Sequence, residues 1–117
     1  MRILTIVTLL LMTFGTGTAE AHAVLDHATP VVGSTVQSAP PEVSLWFTEK
    51  LEPAFSGVQV TDDKGARIDS GSPQVSGNTM RVGLKALGPG TYKVHWHVLS
   101  VDTHKTEGNF SFHVGGQ

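Results

Sequence analysis

Apolar and polar residues alternate in short bursts along most of the chain. In Thr91 to Val98 the alternation is cleanest: Tyr92, Val94, Trp96 and Val98 fall on one side, and Lys93, His95, His97 and Leu99 on the other. Period two is the signature of a strand with one buried face. The same period runs through Val43-Ser44-Leu45-Trp46-Phe47-Thr48 and through Phe110-Ser111-Phe112-His113-Val114. Between these pieces stand turn formers at Thr29-Pro30, Ala39-Pro40-Pro41, Asp62-Asp63-Lys64-Gly65, Gly71-Ser72-Pro73, Ser76-Gly77-Asn78 and Gly88-Pro89-Gly90. No stretch after the N-terminal region reads as a long amphipathic helix. Short strands at roughly ten-residue intervals predict an all-β fold, an immunoglobulin-like antiparallel β-sandwich or Greek-key barrel in a single domain. Trp46, Phe47, Tyr92, Trp96, Phe110 and Phe112 all sit in strand-period patterns and are expected as core aromatics, as is Met80.

The first residues follow a different rule. Arg2 precedes an almost wholly apolar run from Ile3 to Phe14, and Gly15 to Ala21 then turn small and polar. That layout predicts a secretory signal over residues 1–21, cut after Ala19-Glu20-Ala21, with a mature domain at 22–117. A retained anchor is the competing reading, but a span needs roughly twenty apolar residues and nothing after Phe14 prolongs the run. Cleavage leaves 96 of the 117 residues, enough for one core, and makes His22 the first residue.

Charge narrows the partners. Eight basic and ten acidic side chains give −2, and the cut removes one of each, so nothing provides a footing for nucleic acid. With no cysteine, neither a disulfide framework nor a thiolate metal site is available. Any ion must be held by nitrogen and oxygen.

Six histidines and a few carboxylates carry the candidate chemistry. Ser100-Val101-Asp102-Thr103-His104 follows the strongest strand, and in an extended segment Asp102 and His104 would project to the same side. Alone, the pair also fits an ordinary polar loop. His22 adds weight, because a free α-amino group and its own imidazole chelate from one position. Three nitrogens and one oxygen suit a tetragonal Cu(II) ion, with Zn(II) as a competitor. His95 and His97 share a strand face that is expected to be solvated, His27 lies near the N-terminus, and His113 is expected at the surface.

The segments "HAVLDHATP", "PPEVSLWFTEKL", "FSGVQV", "GTYKVHWHVLSVDTHKTEG" and "FSFHV" together resemble the CopC family of copper resistance proteins over nearly the whole domain. The resemblance implies a periplasmic location and one Cu(II) per domain, held by the N-terminal amine and imidazole with an Asp-x-His pair. By position these are His22, Asp102 and His104, with Glu49 as a possible weak ligand or supporting carboxylate. It also implies a carrier, not an enzyme, monomeric and serving copper homeostasis or resistance, with a CopD-type membrane transporter as partner.

Members that bind Cu(I) carry a methionine-rich loop in the region of residues 61–78. This chain has no methionine there, which predicts a Cu(II)-only member. Two other classes remain open: a histidine-brace copper monooxygenase, which uses an N-terminal histidine but keeps a position free for oxygen, and a metal-free sandwich for protein contact. No nucleophile elbow or Gly-rich phosphate cradle supports hydrolase or nucleotide chemistry.

Overall fold

The computed structural model describes residues 23–116. The expected signal segment and His22 lie outside the described residues. Eight strands follow in order: β1 (Leu25–Thr29), β2 (Thr35–Val36), β3 (Glu42–Phe47), β4 (Gly57–Thr61), β5 (Gln74–Ser76), β6 (Thr79–Gly83), β7 (Gly90–Leu99) and β8 (Lys105–Val114). A 3-10 turn, Pro53–Phe55, precedes β4. The strands form two four-stranded sheets, ordered β1-β3-β6-β5 and β2-β8-β7-β4. All pairings within them are antiparallel except the short β2, which runs parallel to β8.

Alternation decides what enters the sandwich. Val43, Leu45 and Phe47 of β3 face Tyr92, Val94, Trp96 and Val98 of β7, with Met80, Val82, Phe110, Phe112 and Val114 completing a core of buried side chains. Phe47 meets Trp96 edge-on at 5.0 Å and 71°. Such a pair contributes about 0.5–1.5 kcal/mol beyond its buried area. The Tyr92 hydroxyl donates to the Gly88 carbonyl at 2.6 Å, four residues upstream. This back-bond ties the entry of β7 as a tyrosine corner does in Greek-key sandwiches.

Two expectations need correction. Trp46 is not in the core: with Val43, Leu45 and Phe47 inward, the pleat turns Trp46 outward, where its ring is half-buried and stacks on His27 at 4.4 Å and 7°. His113 is half-buried, and its Nδ1 lies 2.9 Å from Thr91 Oγ1 on the neighbouring strand.

β7 and β8 form the longest ladder, ten residues each, paired from Gly90↔Val114 to Leu99↔Lys105. The first half of β8 carries no apolar alternation, and the reason is steric. Gly108 lies opposite Trp96, and a Cβ there would sit 2.6 Å from Trp96 Cζ2. The indole fills the space that β8 leaves vacant.

Another clamp holds the far side. The Asp69 side chain, 1% exposed, accepts from Val60 N at 2.8 Å, Gly71 N at 3.1 Å, and Arg67 Nε and Nη2 at 3.0 and 2.8 Å. It pins the loop from Asp62 to Gly71 onto β4. Burial alone would raise its pKa, but the Arg67 guanidinium and the two backbone donors outweigh that and hold the carboxyl below the usual carboxylate range.

Candidate metal centre

The β7–β8 ladder closes in the segment Ser100 to His104. Thr103 N donates to Ser100 O at 2.8 Å, Ser100 N donates to His104 O at 3.0 Å, and Thr103 adopts φ +73°. A turn followed by one left-handed residue is a standard short hairpin connection. Asp102 and His104 are therefore not on an extended segment, as the sequence reading assumed. The turn brings them together instead, with His104 Nδ1 3.3 Å from Asp102 Oδ1. Two ligand atoms each about 2.0–2.1 Å from an ion lie roughly 2.9–3.4 Å apart for angles between 90° and tetrahedral. The 3.3 Å separation is that of a histidine–carboxylate hydrogen bond, and it also falls within the range that two ligands of one ion span.

Ser100 organises this pair from below. It is fully buried, its hydroxyl donates to Asp102 Oδ1 in a very short contact, and its Oγ lies 3.4 Å from the His104 backbone N. The Ser100 hydroxyl is the main cause that holds the Asp102 carboxyl below its ordinary range; burial opposes it, and the side chain and backbone N–H of His104 add to the lowering. The carboxylate stays ionised and fixed while 36% of the side chain remains open to solvent, beside a His104 side chain that is 52% open.

The start of the described chain is anchored at the same end. Ala23 is fully buried, and its carbonyl accepts from the Thr106 hydroxyl at 2.7 Å. Val24 exchanges bonds with Thr48, receiving its backbone N–H at 3.0 Å and donating to its Oγ1 at 3.0 Å. Thr106 lies two residues beyond His104, roughly 7 Å of extended chain.

Glu49, half-buried, follows Thr48 on the adjoining loop. It lines a depression of about 430 Å³ with Thr48, Lys50, Gly77, Asn78 and Val101, and Val101 N donates to Lys50 O at 3.0 Å, which ties that loop to the hairpin. Among the described residues no three His, Asp or Glu side chains converge to hold an ion. Asp102 and His104 supply two donors.

The other histidines are held elsewhere. His27 pairs in register with Trp46, and its Nδ1 lies 2.8 Å from Asp26 Oδ2. His95 and His97 do share the outer face of β7, but their rings lean apart. His95 turns toward Asn109 of β8, and His97 lies over Gly57 of β4. Met80, the one methionine of residues 22–117, is fully buried.

The CopC domain model matches residues 25–115. The chain belongs to the CopC family. It is 38% identical over 98 residues to protein YobA of Escherichia coli K12, covering 80% of this chain and 79% of YobA. To copper resistance protein C of Xanthomonas campestris pv. juglandis it is 36% identical over 121 residues, covering 96% and 94%. The crystal structure of CopC from Methylosinus trichosporium OB3b superposes with a TM-score of 0.77 at 28% identity, covering 82% of this chain and 96% of that one. Copper transport protein CutJ of Bacillus subtilis is 31% identical over 94% of this chain, which accounts for only 21% of CutJ. This is a family of copper resistance and copper transport proteins with a β-sandwich fold.

Proposed function

We propose that the chain is a periplasmic Cu(II) carrier. Export removes residues 1–21, and His22 then offers its amine and imidazole to one Cu(II) that Asp102 and His104 complete. The observation that carries this reading is the meeting of two anchors at one end of the sandwich. The hairpin presents a carboxylate and an imidazole 3.3 Å apart, and Ala23, the residue after His22, is fixed to Thr106 beside it. Three nitrogens and one oxygen match the preference of Cu(II) for a tetragonal plane, and Cu(II) leads the divalent affinity order.

Function follows from a filled plane. With four protein groups around the ion no coordination position opens readily for a substrate, so the site suits holding and releasing copper rather than catalysis. Glu49 stands on the adjoining loop as a weak ligand or supporting carboxylate. The absence of methionine from residues 61–78 leaves nothing soft to hold Cu(I), so the domain carries the oxidised ion alone. Zn(II) is the competitor to be displaced. In CutJ a segment like this chain forms part of a protein named for copper transport, which fits a carrier that serves a CopD-type membrane transporter; the carrier acts as a monomer in this reading.

Cu(II) affinity of the exported protein, measured by competition with a chelator, tests the reading. His104→Ala is expected to weaken binding by at least about 100-fold. Full affinity in a variant that combines His22→Ala with His104→Ala would overturn it.

A further inference from the structure

The anchors of the N-terminal arm come from different sheets. Val24 is tied to Thr48, which follows β3, by its own N–H to Oγ1 and by the Thr48 N–H to its carbonyl, each at 3.0 Å. Ala23 is tied to the other sheet, where its carbonyl accepts from the Thr106 hydroxyl of β8 at 2.7 Å. Followed toward the N-terminus, the arm thus passes from β1, an edge strand, to the strand that leaves the Ser100 to His104 turn.

Thr106 breaks a pattern to make this contact. It lies opposite Val98 in the ladder, and residues directly opposite share a face. Val98, Trp96, Val94 and Tyr92 are buried, so Thr106 starts the inward row that continues through Gly108, Phe110 and Phe112. Valine would fill the same shape. What threonine adds is a hydroxyl, which in a half-buried inward position requires a partner. That hydroxyl and the carbonyl of Ala23, a residue with no exposed surface, satisfy each other.

We propose that Thr106 is a positioning residue for the hairpin centre: its hydroxyl latches the arm beside Asp102 and His104 and sets how fast Cu(II) is released. This rests on the reading that His22 supplies its amine and imidazole. Asp102 and His104 stand on a turn fixed by the β7–β8 ladder and by buried Ser100. The arm ahead of β1 is held by three hydrogen bonds to Thr48 and Thr106. It is the half of the centre that opens, and its opening carries off the amine and the imidazole together.

Stopped-flow transfer of Cu(II) from the loaded exported protein to excess chelator tests this. Release from Thr106→Val is expected to be about 10-fold faster, because losing a group that orients a ligand weakens metal binding by about 10–100-fold and such losses fall mainly on dissociation. Thr106→Ser keeps the hydroxyl and is expected to release at close to the wild-type rate. Without copper, the Val24 amide should exchange its hydrogen faster in Thr106→Val while the β7 amides keep their protection, which a general loss of stability would not produce. Wild-type release from Thr106→Val, equally fast release from Thr106→Ser and Thr106→Val, or faster release with Val24 still protected would overturn the proposal. A version with one extra residue ahead of His22 separates the two levels. Weaker binding there, with an unchanged rate in Thr106→Val, rejects the latch alone; full affinity there rejects the amine and the latch with it.

Discussion

Asp69 and Asp102 are both carboxylates held below the usual range, yet they do opposite things. Asp69 is sealed on the loop side of the sandwich with four donors on its two oxygens, so its bonding capacity is spent on the fold. Asp102 receives the Ser100 hydroxyl, faces His104 at 3.3 Å and stays more than a third open. A carboxylate surrounded by donors is a clamp. One oriented by a buried hydroxyl and by His104, with over a third of its side chain open, is the carboxylate we propose for the ion.

Removing each group should separate the two roles. Asp69→Ala leaves the Val60 and Gly71 backbone donors without their acceptor, while the half-exposed Arg67 guanidinium turns to water, and is expected to lower unfolding free energy by about 1–3 kcal/mol in a denaturant titration, with Cu(II) affinity unchanged. If copper binding fell with it, the clamp and the centre would not be independent. Asp102→Ala should do the reverse: Cu(II) affinity falls by about 100-fold, equal to about 2.7 kcal/mol, while stability changes by less than about 1 kcal/mol. Equal losses in both quantities would erase the distinction.

A smaller effect is expected from Ser100→Ala, which removes the hydroxyl that orients Asp102. Loss of such a partner costs about 10-fold in metal affinity, and chelator competition would measure it. The finest contrast is in acid. Because the folded-state pKa of Asp69 is lowered, its contribution to stability is present above the ordinary carboxylate value and lost as pH falls through the lowered one. Asp69→Asn should therefore show a shallower loss of stability below about pH 4 than the wild type. Parallel acid limbs in the two proteins would contradict this assignment.

Much of the sandwich was legible in the period-two pattern, because Val43, Leu45, Phe47, Tyr92, Val94, Trp96 and Val98 each repeat an inward position. The same pattern failed where packing across the ladder replaces it. Thr106 and Gly108 look like loop residues until Trp96 is seen opposite Gly108. The period-two pattern cannot place Trp46 and Phe47 both inward, because neighbours on a strand face opposite ways, and Val43, Leu45 and Phe47 take the inner face. The short β2 and β5, two and three residues long, have too few positions for any period. At the centre, the residue types of Asp102 and His104 were readable but the geometry was not. A β-branched Thr103 at positive φ is an unlikely choice from sequence, and it is what folds the pair together. The Asp69 clamp left no signal, since an isolated acid after Arg67-Ile68 resembles any surface loop.

The central claim, that the N-terminal amine of His22 completes the hairpin pair around copper, is tested most directly by electron paramagnetic resonance of the exported protein with one equivalent of Cu(II). The comparison is a version with one extra residue ahead of His22. The account predicts a spectrum with three nitrogen ligands for the natural terminus and fewer, with weaker binding, for the extended one. Identical spectra and affinities from the two proteins would contradict it.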